Sequence, residues 1–331
     1  MTLRRFRAPI LAALLMALSA CRPDARAEGP LVVYNAGSLA RPLRAALDTF
    51  ARREGVVVEQ ESAGSLESAR KLTELGKIPD LIAIADAEVF PRYLMPAHVE
   101  RYVRFARNRM VLAYTDRSPH ASEITSANWW EVLQRPGVEV GRSDPELDPN
   151  GYRTLMVWQL TERATAQRGL ATRLAASAPP RNVRPKEADL IGLLEAGEFD
   201  YIWSYESMAR ALGLRWVLIG DSVDLGQTAL AEFYANASVT VRGATVGAAA
   251  VTFTGQPIVY AFAVPLSATH PALGERFAAF LLSEEGRAIL RREGLDALDQ
   301  PDTLRAPIST PVSVPAVTAA STPVQPSAPR P

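Results

Sequence analysis

Along most of this chain short apolar runs alternate with amphipathic helical stretches, and that alternation restricts the fold more than any other feature. The runs LVVYNA (31–36), VVVEQES (56–62), DLIAIA (80–85), MVLAYT (110–115), VEVGRS (138–143), YIWSY (201–205), RWVLI (215–219) and PIVYAFAVP (257–265) read as strands. Helical patterns cover 39–53, 65–76, 127–134, 151–164, 187–196, 206–212, 271–282 and 284–293; in the first, Leu39, Leu43, Ala46, Leu47 and Phe50 form one apolar stripe at helical spacing. Strand–helix alternation of this kind predicts an α/β protein with mainly parallel sheets covered by helices. Such sheets bind ligands at the carboxyl ends of strands, beside helix N-termini.

Two of these strand-to-helix junctions share one tetrapeptide, Ala-Gly-Ser-Leu, at 36–39 and 63–66. Gly37 and Gly64 permit a tight turn after the strand, and Ser38 and Ser65 fall where a helix begins. Two readings stand: each serine caps its helix, or the paired turns present hydroxyl and backbone N–H groups to an oxyanion, which a helix N-terminus holds without a cationic side chain.

Two carboxylates occupy comparable junctions. Asp148, in SDPELDPNGYR, precedes Pro149 and reads either as a turn or cap residue or as a ligand group. Glu206, in YIWSYESMA, reads either as an acid in the first turn of a helix or as a ligand group. Tyr201, Trp203 and Tyr205 alternate along one strand, as in ordinary sheet packing. Arg153 reads as a solvated or lobe-bracing residue rather than an anion ligand, and Asp86 as a helix cap.

Composition removes several function classes. Lys+Arg and Asp+Glu both number 36, so the chain lacks the net basic charge a nucleic-acid binder uses. Three histidines and a single cysteine, Cys21, build no His/Cys metal cage and no disulfide within the chain. None of the common nucleophile-elbow, phosphate-loop, zinc-protease or dinucleotide motifs is present. Neither serine has a base beside it in the sequence pattern, and no enzymatic chemistry or cofactor is expected.

The first segment, MTLRRFRAPILAALLMALSAC, has a basic start, an apolar centre and small residues before Cys21. It reads as a signal peptide over 1–20, too short for a stable membrane span. LSAC is similar to a bacterial lipobox, so Cys21 is the expected lipidation site, anchoring the chain to a membrane surface outside the cytoplasm, with 21–28 as a linker. Residues 299–331 contain eight prolines among Ser, Thr, Ala and Val and read as a disordered tail.

Several stretches in the same order, YNAGSLARP, ESAGSLESARKLTELGKIPDLIAIAD, RFARNRMVLAYTD, ANWWEVLQRPGVEVGRSDPELDPNGYRTLMVWQL, RPKEADLIGLLEAGEFDYIWSYESMA and GQPIVYAFAVP, resemble the extracellular tungstate/molybdate-binding proteins of ABC transporters, the branch best known from archaea. The resemblance runs from about 31 to 293. It implies the type II periplasmic-binding fold, two α/β lobes closing on a ligand by hinge motion, with lobe 1 at 29–112 plus 262–298 and lobe 2 at 113–261. It also implies oxyanion contacts from Ser38 and Ser65 with their Gly37 and Gly64 turns, and two carboxylates, matching Asp148 and Glu206, that reach Mo or W and make it six-coordinate. Where the archaeal motif has a cysteine between Pro and Gly, this chain has Asn150. The resemblance further implies a membrane permease with its cytoplasmic ATPase as partners, and a monomer located outside the cytoplasm.

A carboxylate beside an oxyanion is normally repulsive, by about 4 kcal/mol at 4 Å and an effective dielectric of 20. Sulfate has no means of recovering that cost, whereas Mo(VI) and W(VI) accept extra oxygen donors. Two acids in the site therefore favour tungstate or molybdate and disfavour sulfate. The alternative expectation is a receptor for another tetrahedral oxyanion, sulfate, thiosulfate or phosphonate, on the same fold.

Overall fold

The computed structural model describes residues 29–305. The expected signal peptide, Cys21 with its linker, and residues 306–331 lie outside the described residues. Among the described residues no helix is long and apolar enough to cross a membrane.

Among the described residues thirteen strands form two main sheets and a small ribbon. They are β1 (Leu31–Ala36), β2 (Val58–Ala63), β3 (Leu81–Ile84), β4 (Arg101–Arg107), β5 (Met110–Tyr114), β6 (Val140–Ser143), β7 (Val183–Arg184), β8 (Tyr201–Tyr205), β9 (Arg215–Leu218), β10 (Ser238–Val241), β11 (Val251–Thr254), β12 (Val259–Ala263) and β13 (Asp296–Arg305). The first sheet has the order β13-β4-β12-β3-β1-β2 and the second β7-β6-β8-β5-β9, while β10 and β11 pair alone.

The sheets are mixed rather than mainly parallel. β1 is parallel to β2 and β3, and β6 to β7 and β8. β12, β13, β5 and β9 all pair antiparallel to their neighbours. Apart from β13, which closes the edge of the first sheet, the antiparallel strands stand next to the chain's passages between lobes. The chain crosses from β4 directly into β5, and returns into β12 after the β10–β11 ribbon. A strand arriving from the other lobe has no crossover helix to bring it in parallel.

Two expected boundaries shift accordingly. β5 begins at Met110 and belongs to the second sheet, so the chain changes lobes before 110 rather than after 112. β12 begins at Val259 and belongs to the first sheet, so the return precedes 259 rather than following 261. Residues 299–305, expected to belong to the tail, instead continue β13. Pro301 lies inside a register shift between Ala297 and Asp302, where its missing N–H costs no ladder bond. Cross-strand ion pairs, Arg104 with Asp302 and Arg305 with Glu100, hold this polar edge.

Helix α1 (Ala40–Glu54) buries Leu43, Ala46, Leu47 and Phe50 against the first sheet and ends on Gly55 at φ 70°. Phe50 packs on Phe277 and Phe280 with centroids 5.2 and 5.7 Å apart. In the second lobe Trp203 meets Trp129 and Trp158 at 5.3 and 6.2 Å. Tyr201 and Trp203 are fully buried, so the alternating aromatics of β8 are sheet packing.

Candidate functional site

The two Ala-Gly-Ser-Leu turns end β1 and β2, adjacent parallel strands of the first sheet, and neither serine caps its helix. Ser38 lies within a 3₁₀ turn, Gly37–Leu39, and its Oγ accepts from the Tyr260 hydroxyl at 3.0 Å. Ser65 opens helix α2 (Ser65–Leu75), and its Oγ accepts from Ala85 N at 3.0 Å. No side-chain cap bond closes either helix start.

Gly64 serves close approach rather than unusual backbone torsion, with φ −64°, whereas Gly37 has room for an ordinary side-chain contact. A Cβ on Gly64 would lie 2.2 Å from the Leu147 carbonyl oxygen, and one on Gly37 would lie 3.5 Å from the Ala188 Cβ. Each turn of lobe 1 therefore faces the backbone beside one acid of lobe 2: Gly64 faces Leu147, which precedes Asp148, and Gly37 faces Ala188, which follows Glu187.

Those two acids meet. Asp148, at the N-terminus of helix α3 (Pro149–Thr165), is buried and caps it by accepting from Asn150 N at 3.1 Å. Its second oxygen, Oδ2, accepts from Glu187 N at 2.8 Å. Glu187 precedes helix α4 (Ala188–Ala196) and is 1% exposed. Its Oε1 accepts from Ser204 Oγ and Tyr205 N, both at 2.6 Å. Its Oε2 is buried with no hydrogen-bond partner, as is Asn150 Nδ2.

Burial pushes the Glu187 carboxyl up to about 8, against the bonds from Ser204 and Tyr205, and the nearby Asp148 charge adds to the rise. Burial likewise pushes Asp148 up to about 6, against the backbone bonds from Glu187 and Asn150 and the Arg153 charge. No cation pairs with Glu187, so two neighbouring buried acids stand where two negative charges are disfavoured.

Arg153 braces the lobes rather than facing solvent. It is 2% exposed. Its Nη1 donates to Ala85 O and to the Tyr205 hydroxyl, each at 2.8 Å, and its Nη2 lies 3.1 Å from Asp86 Oδ2. Asp86 caps its own turn by accepting from Glu88 N at 3.0 Å, and it also accepts from the Tyr152 hydroxyl at 2.5 Å. The Tyr205 and Tyr260 rings meet edge to face at 5.9 Å. Asn108 Nδ2 donates to the Tyr260 hydroxyl at 2.9 Å and to Ser207 Oγ at 2.7 Å. Ser38, Tyr260, Tyr205, Arg153, Ala85 and Ser65 thus form a connected polar wall around the acid pair.

Glu206, the residue expected to partner Asp148, is placed elsewhere. β8 ends at Tyr205, and the chain turns into a short helix, α5 (Glu206–Ala211). That turn aims Glu206 at Arg109, 3.0 Å away, and at Arg210. It lines a separate cavity of about 470 Å³ together with Arg107, Asn108, Ser207 and Arg291. The acid beside Asp148 is Glu187, which sequence reasoning passed over within RPKEADL. Its signal was a glutamate at a helix start, where a small polar cap is the usual choice. Ser204, Tyr205, Tyr260 and Asn108 carried no such signal, since each reads locally as core or loop. Among the described residues no group of three or more His, Cys, Asp and Glu side chains is placed to hold a metal ion; the acids number two.

Two α/β lobes that present hydroxyl and amide groups on one side and buried carboxyls on the other define a clamp-type binding protein. The chain belongs to the bacterial extracellular solute-binding protein family, whose profile matches residues 31–296. A solute-binding protein of Petrotoga mobilis is 42% identical over 275 residues, covering 83% of this chain and 85% of that one. The molybdate/tungstate-binding protein WtpA of Pyrococcus abyssi is 34% identical over 301 residues, covering 82% of this chain and 85% of its own. Among solved structures, the periplasmic molybdate-binding protein of Azotobacter vinelandii has a TM-score of 0.55 at 16% identity, covering 82% of this chain and all of that one. The sulfate-binding protein SubI of Mycobacterium tuberculosis has a TM-score of 0.55 at 15% identity, covering 82% of this chain and 88% of its own. These structural likenesses establish the periplasmic-binding fold.

Proposed function

We propose that this chain is the solute-binding component of an ABC transporter that captures tungstate or molybdate outside the cytoplasm and delivers it to a membrane permease. The observation that carries the reading is the acid pair. Asp148 and Glu187 come from different helix starts, lie buried side by side opposite the paired Gly-Ser turns, and leave Glu187 Oε2 without a partner. In this reading Ser38, Ser65 and the backbone of their turns hold the oxyanion oxygens, and Asp148 and Glu187 supply oxygens to Mo or W. Glu187 takes the role first expected of Glu206. The relative in Pyrococcus abyssi, by its name a molybdate/tungstate-binding protein, supports this choice of ligand. A lipidated Cys21 tethers the monomeric receptor to the membrane, and no cofactor takes part.

A tetrahedral oxyanion such as sulfate is the second reading, and the burial of Glu187 without a cation, which favours its protonated form, is the observation that favours it. A protonated Glu187 donates a hydrogen bond to sulfate instead of repelling it. Calorimetric titration of the mature chain with tungstate, molybdate and sulfate separates the two. Tungstate and molybdate binding with no detectable sulfate heat is expected, and sulfate affinity equal to theirs removes the metal-ligand role. X-ray absorption on the loaded protein, reading six oxygens around the metal, is the direct check.

A further inference from the structure

We propose that Gly64, the residue before α2, and Arg70, on its second turn, are positioning residues that grip the loop carrying Asp148 and set the closed position of the lobes. The inference rests on the oxyanion-receptor reading; it gives Gly64 a second role and brings in Arg70, which that reading does not use.

A helix N-terminus leaves backbone N–H groups that need acceptors. In α2 no side chain supplies one, and the acceptor comes from the other lobe: Leu66 N and Glu67 N donate to the Leu147 carbonyl at 3.1 and 3.2 Å. Leu147 is the residue before Asp148. The approach is close enough that a Cβ at position 64 would sit 2.2 Å from that carbonyl oxygen and 2.7 Å from its carbon. Gly64 has φ −64°, which any residue adopts, so contact with the opposite lobe, and not backbone torsion, requires glycine here.

Arg70 completes the grip from the next turn. It is 5% exposed. Its Nη1 donates to the Glu146 carbonyl, its Nη2 to the Arg242 carbonyl at 2.9 Å, and its Nε to the Gly243 carbonyl at 3.3 Å. Its carboxylate neighbour is Glu146, at 3.9 Å. A buried guanidinium satisfied mainly by backbone carbonyls fixes chain position rather than neutralising an acid, and its planar fork suits that task. Thr73 Oγ1 adds a bond to the Ala244 carbonyl at 2.6 Å, and Arg242 N donates to Glu146 Oε2 at 2.9 Å. One face of α2 therefore holds two segments at once, 144–148 of lobe 2 and 242–244 after β10. Opening the clamp breaks this set together and moves Asp148 away from the Gly-Ser turns. The Leu66 and Glu67 amides at the start of α2 are occupied by protein in the closed state, so this helix start contributes closure, and the Ser65 hydroxyl is the α2 group left to the oxyanion reading.

The test compares the mature full-length chain with Gly64→Ala, Arg70→Met and Arg70→Lys. Stopped-flow with tungstate is expected to show dissociation from Gly64→Ala and Arg70→Met faster by about tenfold or more, with association changed by less than about threefold. Arg70→Lys is expected to recover part of the loss, since it keeps the charge without the fork. Parent-like dissociation in Gly64→Ala, with its thermal midpoint preserved, overturns the proposal. Small-angle scattering of the unliganded parent and Gly64→Ala reads the grip without any ligand. A larger radius of gyration in the variant supports it, and superimposable profiles overturn it. Should the parent bind neither tungstate nor molybdate, the oxyanion reading fails, and the scattering comparison still decides the grip.

Discussion

Two acidic corners of the second lobe meet the end of β8, and they differ in what surrounds them. At one corner Glu187 and Asp148 are buried, Glu187 meets no cation, and one of its oxygens is unbonded. At the other corner Glu206 stands between Arg109 and Arg210, with its side chain 19% exposed at a cavity wall. A carboxylate already neutralised by two guanidinium groups offers little to an incoming ligand. A desolvated carboxyl with a free lone pair is destabilised until a ligand arrives that accepts oxygen donors. In the proposed reading the ligand acid is the poorly satisfied one, a property of the folded environment that residue type does not reveal.

The largest effect that sharpens this contrast is loss of either buried acid. Glu187→Gln and Asp148→Asn are each expected to weaken tungstate binding by about 100-fold or more in calorimetry, or roughly 2.7 kcal/mol. Asparagine at 148 retains a cap for α3, so the loss is not confounded by unfolding. Parent-like binding by both variants would place the acids in a structural role.

Next comes pH. Both folded values are raised, Glu187 from an ordinary 4.5 to about 8 and Asp148 from 3.8 to about 6. The folded chain thus holds protons that the unfolded chain has released. The contribution of these carboxyls to the stability of the empty protein is present at low pH and is lost as pH rises from about 4 through about 8. The thermal midpoint of the empty protein should carry a downward component across that window, reduced in Glu187→Gln. Tungstate affinity should move the opposite way, because metal coordination uses the deprotonated acids: about tenfold per pH unit for each proton released, levelling above about 8. Affinity that falls with rising pH would favour the hydrogen-bonded tetrahedral oxyanion instead.

A smaller loss, about 1–2 kcal/mol, is expected for Ser38→Ala, which removes one hydroxyl from the wall facing the acids. Titration against the parent measures it, and an unchanged dissociation constant would confine Ser38 to its bond with Tyr260. The smallest effect belongs to Glu206→Gln: tungstate affinity within about twofold of the parent, and stability changed by about 0–1 kcal/mol in a denaturant titration, as for a partly exposed ion pair. A loss there matching that of Glu187→Gln would erase the distinction between the two corners.

Much of this architecture was legible in the residues. β1 and β8 fall on the strand runs read from the sequence, and α1 buries the stripe that its spacing marks. β4 was passed over because Arg101, Arg104 and Arg107 break its apolar pattern, and Arg104 finds its acid only in β13, far along the chain. β13 was passed over for its proline and its polar character, which an edge strand with a register shift tolerates. In the site, the Gly-Ser turns and Asp148 were visible because each is a local junction with a recognisable backbone demand. Glu187 was not, since its significance comes from Ser204 and Tyr205 binding one oxygen and from Asp148 accepting its N–H.

Sequence alone determined the class of fold, the family and the kind of groups available, because periodicity, turn residues and motif order are local properties of the chain. Tertiary structure decided which acid stands beside Asp148, that both serines accept bonds instead of capping helices, and that one helix start is closed by a carbonyl from the opposite lobe. Those outcomes depend on distances between segments remote in the chain, and on how burial sets the charge of a carboxyl. Neither is encoded in the neighbours of a residue along the chain.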